Sequence, residues 1–195
     1  WNYNELNTLA IATEIGIDKK DDEYKVNITI SNSTNAQSSS KEGQSQITVL
    51  EGKGKTITEA IDKIDLKMPK KLYLNHLNSI IISEEVAKEG IMNMADLLLR
   101  EPESRKRFYL LIAKDSDAKD VLKTLTALDS RPSQSIAATI QTSSNTQAMV
   151  TTTTYSNFIN VIVQKGIQPT LNSISVQGNE KKGDSYESLQ KATPE

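Results

Sequence analysis

The stretch at residues 69–90 constrains the fold of this chain more than any other part of the sequence. It contains three consecutive isoleucines, Ile80, Ile81 and Ile82, a short apolar run of the kind found in strands that are buried on both faces. Ser83 follows directly and can cap a helix that Gly90 can end. A strand that leads straight into a helix is typical of an α/β layer.

The N-terminal part predicts a β-hairpin. An apolar run at residues 9–17 is followed by a charged turn at residues 18–22. Val26, Ile28 and Ile30 then alternate with polar residues, which predicts a strand with one solvent-exposed face.

A polar segment and a third strand follow. Residues 31–45 are almost entirely Ser, Asn, Gln, Thr and Gly, so we expect a mobile loop there. A strand resumes at residues 47–50, and we expect Gly52 and Gly54 to end it.

Apolar residues spaced three and four apart predict several helices. Thr56 and Glu59 form a capping box at the start of one of them. Four further helices are predicted. The first includes Ile91 and stops at Pro102, and the second follows a cap at Ser116. The third includes Ile136 and Ile140, and the fourth runs from possible caps at residues 151–154 to Gly166. Further strands are predicted at residues 108–113 and around Ile174 and Val176.

These elements predict an α/β fold, with α+β possible, in which helices flank a mixed β-sheet. Residues 1–177 are expected to form one domain, and the polar residues 178–195 a linker to a missing C-terminal region. A length of 195 residues with 36% hydrophobic and only 5% aromatic residues suits one domain better than two.

Composition excludes several classes of function. A net charge of −2 indicates no nucleic-acid partner, and the absence of cysteine excludes disulfides, thiolate metal sites and a cysteine nucleophile. No run approaches the ~20 apolar residues that a membrane-spanning helix needs.

The motifs for catalysis or cofactor binding are weak. Gly54, Lys55 and Thr56 resemble the end of a phosphate-binding loop, but the glycine required at position 49 is Val49, so a helix cap is the better interpretation. The acidic turn at residues 18–22 lacks the glycine and the closing glutamate of a calcium loop.

His76 is the only histidine of the chain, and it lies among leucines. This setting favours a packed, hydrogen-bonded side chain over a general base. We therefore predict no catalytic residue, cofactor site or metal site, and no enzymatic activity.

Two charged segments are candidates for a partner surface. Lys70 and Lys71 precede the strand at residues 80–82, and a segment rich in arginine at residues 100–107 precedes the strand at residues 108–113. If these strands are parallel neighbours, both segments lie at the same end of the sheet and their cations form one patch. A merely solvated turn is the alternative. The candidate partner surface comprises Lys70, Lys71, Tyr73, His76, Arg100, Glu103, Arg105 and Arg107.

Five motifs occur in an order shared with a known family. They lie at residues 1–7 (W-x-x-x-E-L-N), 16–19, 54–61, 69–90 and 98–103. Over its first two thirds the chain thus resembles the Ger(x)C family, the C subunits of spore germinant receptors in endospore-forming bacteria. The resemblance implies the N-terminal domain of a longer protein.

The resemblance also implies a location and a role. It implies a lipoprotein on the outer face of the spore inner membrane, whose lipid-modified cysteine would precede Trp1 and is missing here. The implied role is that of a non-catalytic subunit that contacts the integral-membrane A and B subunits during nutrient-triggered germination. An envelope domain that binds a small ligand or glycan is the alternative. A deep polar pocket would favour that alternative, whereas a shallow apolar or basic patch would favour a subunit interface.

Overall fold

The computed structural model describes residues 8–31, 47–91, 94, 107–128, 132–147, 151, 153–177 and 191–194. These residues form an α/β domain, as the sequence predicts. The strands are β1 (Leu9–Lys20), β2 (Glu23–Ser31), β3 (Ile47–Gly54), β4 (Lys71–Tyr73), β5 (Ser79–Ser83), β6 (Tyr109–Lys114), β7 (Asn172–Gln177) and β8 (Lys191–Pro194). The helices are α1 (Ile57–Asp65), α2 (Glu84–Glu89), α3 (Ala118–Leu128), α4 (Pro132–Gln147) and α5 (Tyr155–Ile162).

All eight strands belong to one mixed sheet, in the order β3-β2-β1-β5-β6-β7-β8. β1, β5, β6 and β7 are parallel, whereas β2 is antiparallel to both of its neighbours and β8 is antiparallel to β7. The short strand β4 pairs with the beginning of β1, on the side where β5 pairs further along. The predicted hairpin is confirmed, and β5 and β6 are parallel neighbours, which is the condition on which the predicted patch of cations depends.

The isoleucine run lies at the centre of this sheet. Ile80, Ile81 and Ile82 are buried between β1 and β6, because helices cover both faces of β5. The Ser83 hydroxyl accepts a hydrogen bond from the Val86 N–H at 3.4 Å, and α2 ends at Gly90. The predicted strand, cap and helix end are all confirmed.

Two helical layers sandwich the sheet. α1, α2 and α5 cover one face and form the larger core with residues such as Ile15, Ile28 and Ile80. α3 and α4 cover the other face, where Ile81 and Leu111 pack on them.

Gly52 and Gly54 do not end β3, contrary to the sequence prediction. The strand runs through both glycines, because α1 lies so close that neither position has room for a side chain. A Cβ atom on Gly52 would lie 2.1 Å from the Ala60 carbonyl oxygen, and one on Gly54 2.8 Å from the Ala60 nitrogen.

The expectation of a solvent-exposed face on β2 is also wrong. Asn27 and Thr29 are 1% and 0% exposed, because α3 packs over the adjacent residue Gly16. Lys119 of α3 reaches across to Glu51 of β3 and closes this side of the layer.

The sequence predicts that Ser116 caps the N-terminus of α3, but the cap is Asp18, a residue 100 positions away from Ala118. The Asp18 carboxylate accepts hydrogen bonds from the N–H groups of Ala118, at 2.7 Å, and Lys119, at 3.0 Å. The Ser116 hydroxyl instead donates to the carbonyl oxygen of Lys114. Burial raises the pKa of Asp18, and the two N–H bonds only partly oppose this effect.

The C-terminal part agrees with the prediction in most respects. Thr154 caps α5 as expected, but the helix ends at Ile162, and Gly166 lies in the turn beyond it with φ 87°. Residues 178–195 are expected to be a linker, but residues 191–194 within them form β8, which pairs with β7. The predicted helix after Ile91 lies largely outside the described residues, as does the predicted loop at residues 31–45. No helix in the described part of the chain is long and apolar enough to cross a membrane.

A basic surface where the parallel strands begin

The parallel strands bring several connections to one end of the sheet. β1, β4, β5, β6 and β7 all run in the same direction, so the segments that precede them lie at the same end. We call the cations and exposed apolar residues of these segments the basic surface. Its members are Leu66, Lys70, Lys71, His76, Arg107, Val163, Lys165 and Ile167.

The basic surface exposes three large apolar side chains. Leu66 follows α1 and is 86% exposed, and Val163 and Ile167 follow α5 with exposures of 72% and 55%. Single exposed apolar residues are common, but three in the two loops that follow α1 and α5 and lead into β4 and β7 are candidates for a surface that a partner can cover.

The lysines and the arginine of the basic surface form no ion pair with a carboxylate of the described residues. Lys71, Arg107 and Lys165 are exposed and Lys70 is partly buried, and none of the four forms an ion pair within the described ranges. Asp65 lies nearby, but its carboxylate accepts the N–H of Leu72 at 2.9 Å. These cations are therefore available to an anionic partner.

The opposite end of the sheet carries many carboxylates, with exposed lysines such as Lys20 and Lys55 among them. Asp21 and Asp22 form the β1–β2 turn with φ values of 51° and 60°, a left-handed conformation that aspartate tolerates well. Glu84 and Asp115 follow β5 and β6, and the Glu84 carboxylate accepts the Asp115 N–H at 3.2 Å. The domain thus carries cations at one end and many carboxylates at the other.

The structure brings together part of the predicted partner surface. Lys71 and Tyr73 lie in β4, and Arg107 lies two residues before Tyr109, which pairs with Ser79 at the start of β5. Lys70 and Lys71 lead into β4, which pairs with β1, rather than directly into β5. The predicted members Arg100, Glu103 and Arg105 lie outside the described residues.

His76 is exposed, so the expectation of a packed, hydrogen-bonded histidine is wrong. The β4–β5 connection buries Leu77 and turns the neighbouring His76 to solvent. The His76 ring lies against Tyr73, with 5.8 Å between the ring centroids and a tilt of 48°.

Leu66, Val163, Lys165 and Ile167 were missed by the sequence analysis. A signal was nevertheless present for Leu66, which falls outside the apolar stripe that predicts α1, whereas Val163 continues the stripe of α5 and is exposed because the helix ends before it. A large apolar residue that follows a helix outside its stripe has no core to enter.

An apolar groove adjoins the basic surface. It has a volume of about 270 Å³ and lies where β1 and β3 begin and β2 ends. Its lining residues are Leu9, Ala10, Ile30, Ser31, Thr48, Leu50, Met68, Pro69 and Lys70. This lining is mostly apolar, with one cation at the rim, and so differs from the polar pocket that a glycan would need.

Lys55 and Thr56, which resemble the end of a phosphate-binding loop, take part in the cap of α1, as the sequence predicts. The Thr56 hydroxyl accepts the Glu59 N–H at 3.1 Å, and the Glu59 carboxylate accepts the Lys55 N–H at 2.8 Å. The lysine Lys63, together with the Lys55 N–H, lowers the pKa of Glu59. Among the described residues, no three or more His, Cys, Asp or Glu side chains are placed to hold a metal ion.

Comparison with known proteins identifies the family. Residues 2–176 match the family described as the spore germination protein N-terminal domain. The chain is 29% identical over its whole length to spore germination protein KC of Bacillus subtilis, and the aligned region is 49% of that protein. It is 28% identical over 70% of its length to the putative spore germination protein YfkR of the same organism, covering 36% of that protein.

A third relative gives the same result. Spore germination protein B3 of Bacillus subtilis is 25% identical over 60% of this chain, which corresponds to 32% of that protein. The chain therefore spans about half the length, or less, of these curated relatives. No solved structure matches it. Since the family match extends over nearly the whole sequence, this chain belongs to the spore germination protein N-terminal domain family.

Proposed function

We propose that this domain is a non-catalytic part of a lipid-anchored subunit of a nutrient germinant receptor and that it works through protein–protein contacts. The family match and the three spore germination relatives support a role in germination. The single observation that carries the contact role is the basic surface, where cations without an ion pair among the described residues and exposed apolar side chains lie in segments that lead into parallel strands.

The position of β1 relates this surface to a membrane. β1 begins at Leu9, at the same end of the sheet as the basic surface. If the lipid-modified cysteine directly precedes Trp1, as the resemblance implies, eight residues join it to β1 and reach at most ~26 Å when fully extended at ~3.3 Å per residue. An N-terminal lipid anchor would therefore hold the basic surface towards the outer face of the spore inner membrane.

The chemistry of the surface indicates what it contacts. We propose that the cations of the basic surface contact acidic loops of the integral-membrane A and B subunits of the receptor and that the exposed apolar side chains become buried there. Charges at the rim of an interface mainly affect association rate and orientation, whereas apolar side chains at its centre contribute most of the affinity.

Charge reversal in spores tests this proposal. The double variant Lys71→Glu and Arg107→Glu should fold normally, because both side chains are exposed, yet it should slow nutrient-triggered germination. The matched control is Lys20→Glu with Lys55→Glu, two exposed lysines at the opposite end of the sheet. The contact role is wrong if the basic-surface variant is present at normal abundance and germinates like wild type.

The alternative of a small-ligand or glycan-binding domain is less well supported. The groove beside Lys70 is smaller than the ~300–1,000 Å³ of typical ligand sites and is mostly apolar. Thermal stability that rose on addition of a nutrient or a cell-wall sugar would favour this alternative.

A further inference from the structure

A row of buried polar side chains lies on the sheet face that α3 and α4 cover. Glu14 of β1 pairs in register with Thr29 of β2 on one side and Ser79 of β5 on the other. Residues paired in register point to the same face of a sheet, and Asn27 lies on that face two residues along β2. All four residues are at most 1% exposed.

The polar atoms of this row lack well-formed hydrogen bonds to the described residues. Both carboxyl oxygens of Glu14, both amide atoms of Asn27 and the hydroxyls of Thr29 and Ser79 have no partner of good geometry there, although the Thr29 hydroxyl lies close enough to Glu14 to affect its pKa. A buried polar group without a partner destabilises a fold by ~1–3 kcal/mol, and an unpaired buried charge by far more. Several buried polar groups of this kind at one location therefore indicate a functional site.

Within the part of the chain that the structure describes, Glu14 forms no ion pair with a cation. The other ionisable groups on this face have their own partners or positions. Glu51 forms ion pairs with Lys119 and Lys53. Asp18 caps α3, and Lys25 is partly buried on β2. Asp120 and Lys123 of α3 pair with each other, Tyr109 comes from β6, and α4 contributes no ionisable residue. Burial consequently raises the pKa of Glu14 to about 7, with a smaller opposing effect from the Thr29 hydroxyl.

The strand that carries Glu14 also seats α3. Gly16 leaves room for Leu122, whose Cδ1 would lie 2.7 Å from a Cβ at that position, and Asp18 binds the first N–H groups of α3. Glu14, Gly16 and Asp18 alternate along β1 and so point to the same helical layer. A change of charge at Glu14 therefore acts directly beneath this layer.

We propose that Glu14, with Asn27, Thr29 and Ser79, is an internal proton-binding site whose ionisation loosens α3 from the sheet. The neutral carboxyl is compatible with a dry, uncharged setting. The carboxylate draws in water or a counter-ion, which requires the helical layer above it to open.

The sign of the expected pH dependence follows from the proton count. Between pH 4.5 and about 7 the folded protein keeps a proton on Glu14 that the unfolded chain has lost. Stability therefore falls as pH rises through this window and levels off above it. Glu14→Gln removes this dependence, because glutamine has the shape of the neutral carboxyl and no charge.

The experiment compares the denaturant unfolding of the 195-residue chain and Glu14→Gln at pH 4.5 and pH 8. The ratio of the two folding constants should change by on the order of 100-fold between these values in favour of the variant. Glu23→Gln, an exposed glutamate at the start of β2, is the control and should show no such change. Any titration of Asp18 is common to all three proteins and cancels.

A second readout tests the link to α3. Amide hydrogen exchange at residues 118–128, corrected for intrinsic pH dependence, should accelerate from pH 6 to pH 8 in wild type and not in Glu14→Gln. A ratio of folding constants that does not vary with pH overturns the proposal. Potassium or sodium ions that restore wild-type stability at pH 8 also overturn it, in favour of a cation site. If the variant does not fold, a ¹³C titration of the wild-type glutamate carboxyls decides, because the proposal fails if every carboxyl titrates below pH 5.5.

Discussion

Replacement of Gly52 by alanine tests how closely α1 lies on the sheet. The added Cβ would lie 2.1 Å from the Ala60 carbonyl oxygen and 2.7 Å from Cγ1 of Ile64. Carbon and oxygen atoms that are not bonded rarely approach within ~3.2 Å, so α1 must move by roughly 1 Å or β3 must bend. The oxygen belongs to the backbone of a helix and cannot rotate away as a side chain can.

The expected loss in the free energy of unfolding of Gly52→Ala is at the upper end of the range that overpacking produces. Extra atoms in a packed core destabilise by ~1–3 kcal/mol, and here we expect about 3 kcal/mol because the contact is with backbone. In a domain of this size, ~1 kcal/mol lowers the unfolding midpoint by ~2–4 °C. Gly52→Ala should therefore unfold about 6–12 °C below wild type in a thermal melt.

Gly16→Ala is the matched control. Its Cβ would lie 2.7 Å from Cδ1 of Leu122, the end of a flexible side chain, and 3.3 Å from the Ala118 carbonyl oxygen. The loss should be smaller than for Gly52→Ala, since Leu122 can change rotamer. A Gly52→Ala protein that melts within ~1 °C of wild type would refute the close packing of α1. A higher midpoint would support the sequence-based view that this glycine only ends a strand.

Three further predictions concern single side chains. Asp18→Asn should lower the free energy of unfolding in urea by ~1–2 kcal/mol, because one amide oxygen replaces two acceptors for the α3 N–H groups. Asp117→Asn, at an exposed neighbour, should have little effect. Thr56→Ala should lose ~1 kcal/mol from the α1 cap, and an unchanged midpoint would contradict the cap. His76→Ala should change the free energy of unfolding by no more than ~0.5 kcal/mol, since the ring is exposed; a larger loss would mean that its contact with Tyr73 is structural.

Local rules predicted the elements of this fold well. The isoleucine run, the capping box at Thr56 and the threonine before α5 each act over a few residues, and the structure confirms all three. The mixed sheet followed from the alternation of strands with helices, which also allows the parallel pair of β5 and β6. The match of the family description to residues 2–176 confirms the resemblance found in the motifs.

Several of the errors arise from contacts between elements that meet only in the folded domain. Asn27 and Thr29 appeared polar and exposed, but a helix about 90 residues later covers them. The cap on α3 comes from Asp18, and the role of Gly52 depends on a helix that packs back onto its own strand. Sequence patterns report which residues favour a strand or a helix, and not which surfaces meet in the folded domain.

For the candidate site, the sequence indicated the charges but not the apolar part. Lys70, Lys71 and Arg107 were identified because cations cluster before strands, and the parallel pairing of β5 and β6 places them at one end of the sheet. Leu66 and Val163 became candidates only when the structure showed them exposed.

Site-specific photo-crosslinking in dormant spores tests the central claim most directly. A crosslinking amino acid at Leu66, on the basic surface, is compared with one at Asp22, at the opposite end of the sheet. If the account is correct, Leu66 crosslinks to an integral-membrane subunit of the germinant receptor and Asp22 does not. Crosslinks to that subunit from Asp22 alone, or equally from both positions, would contradict it.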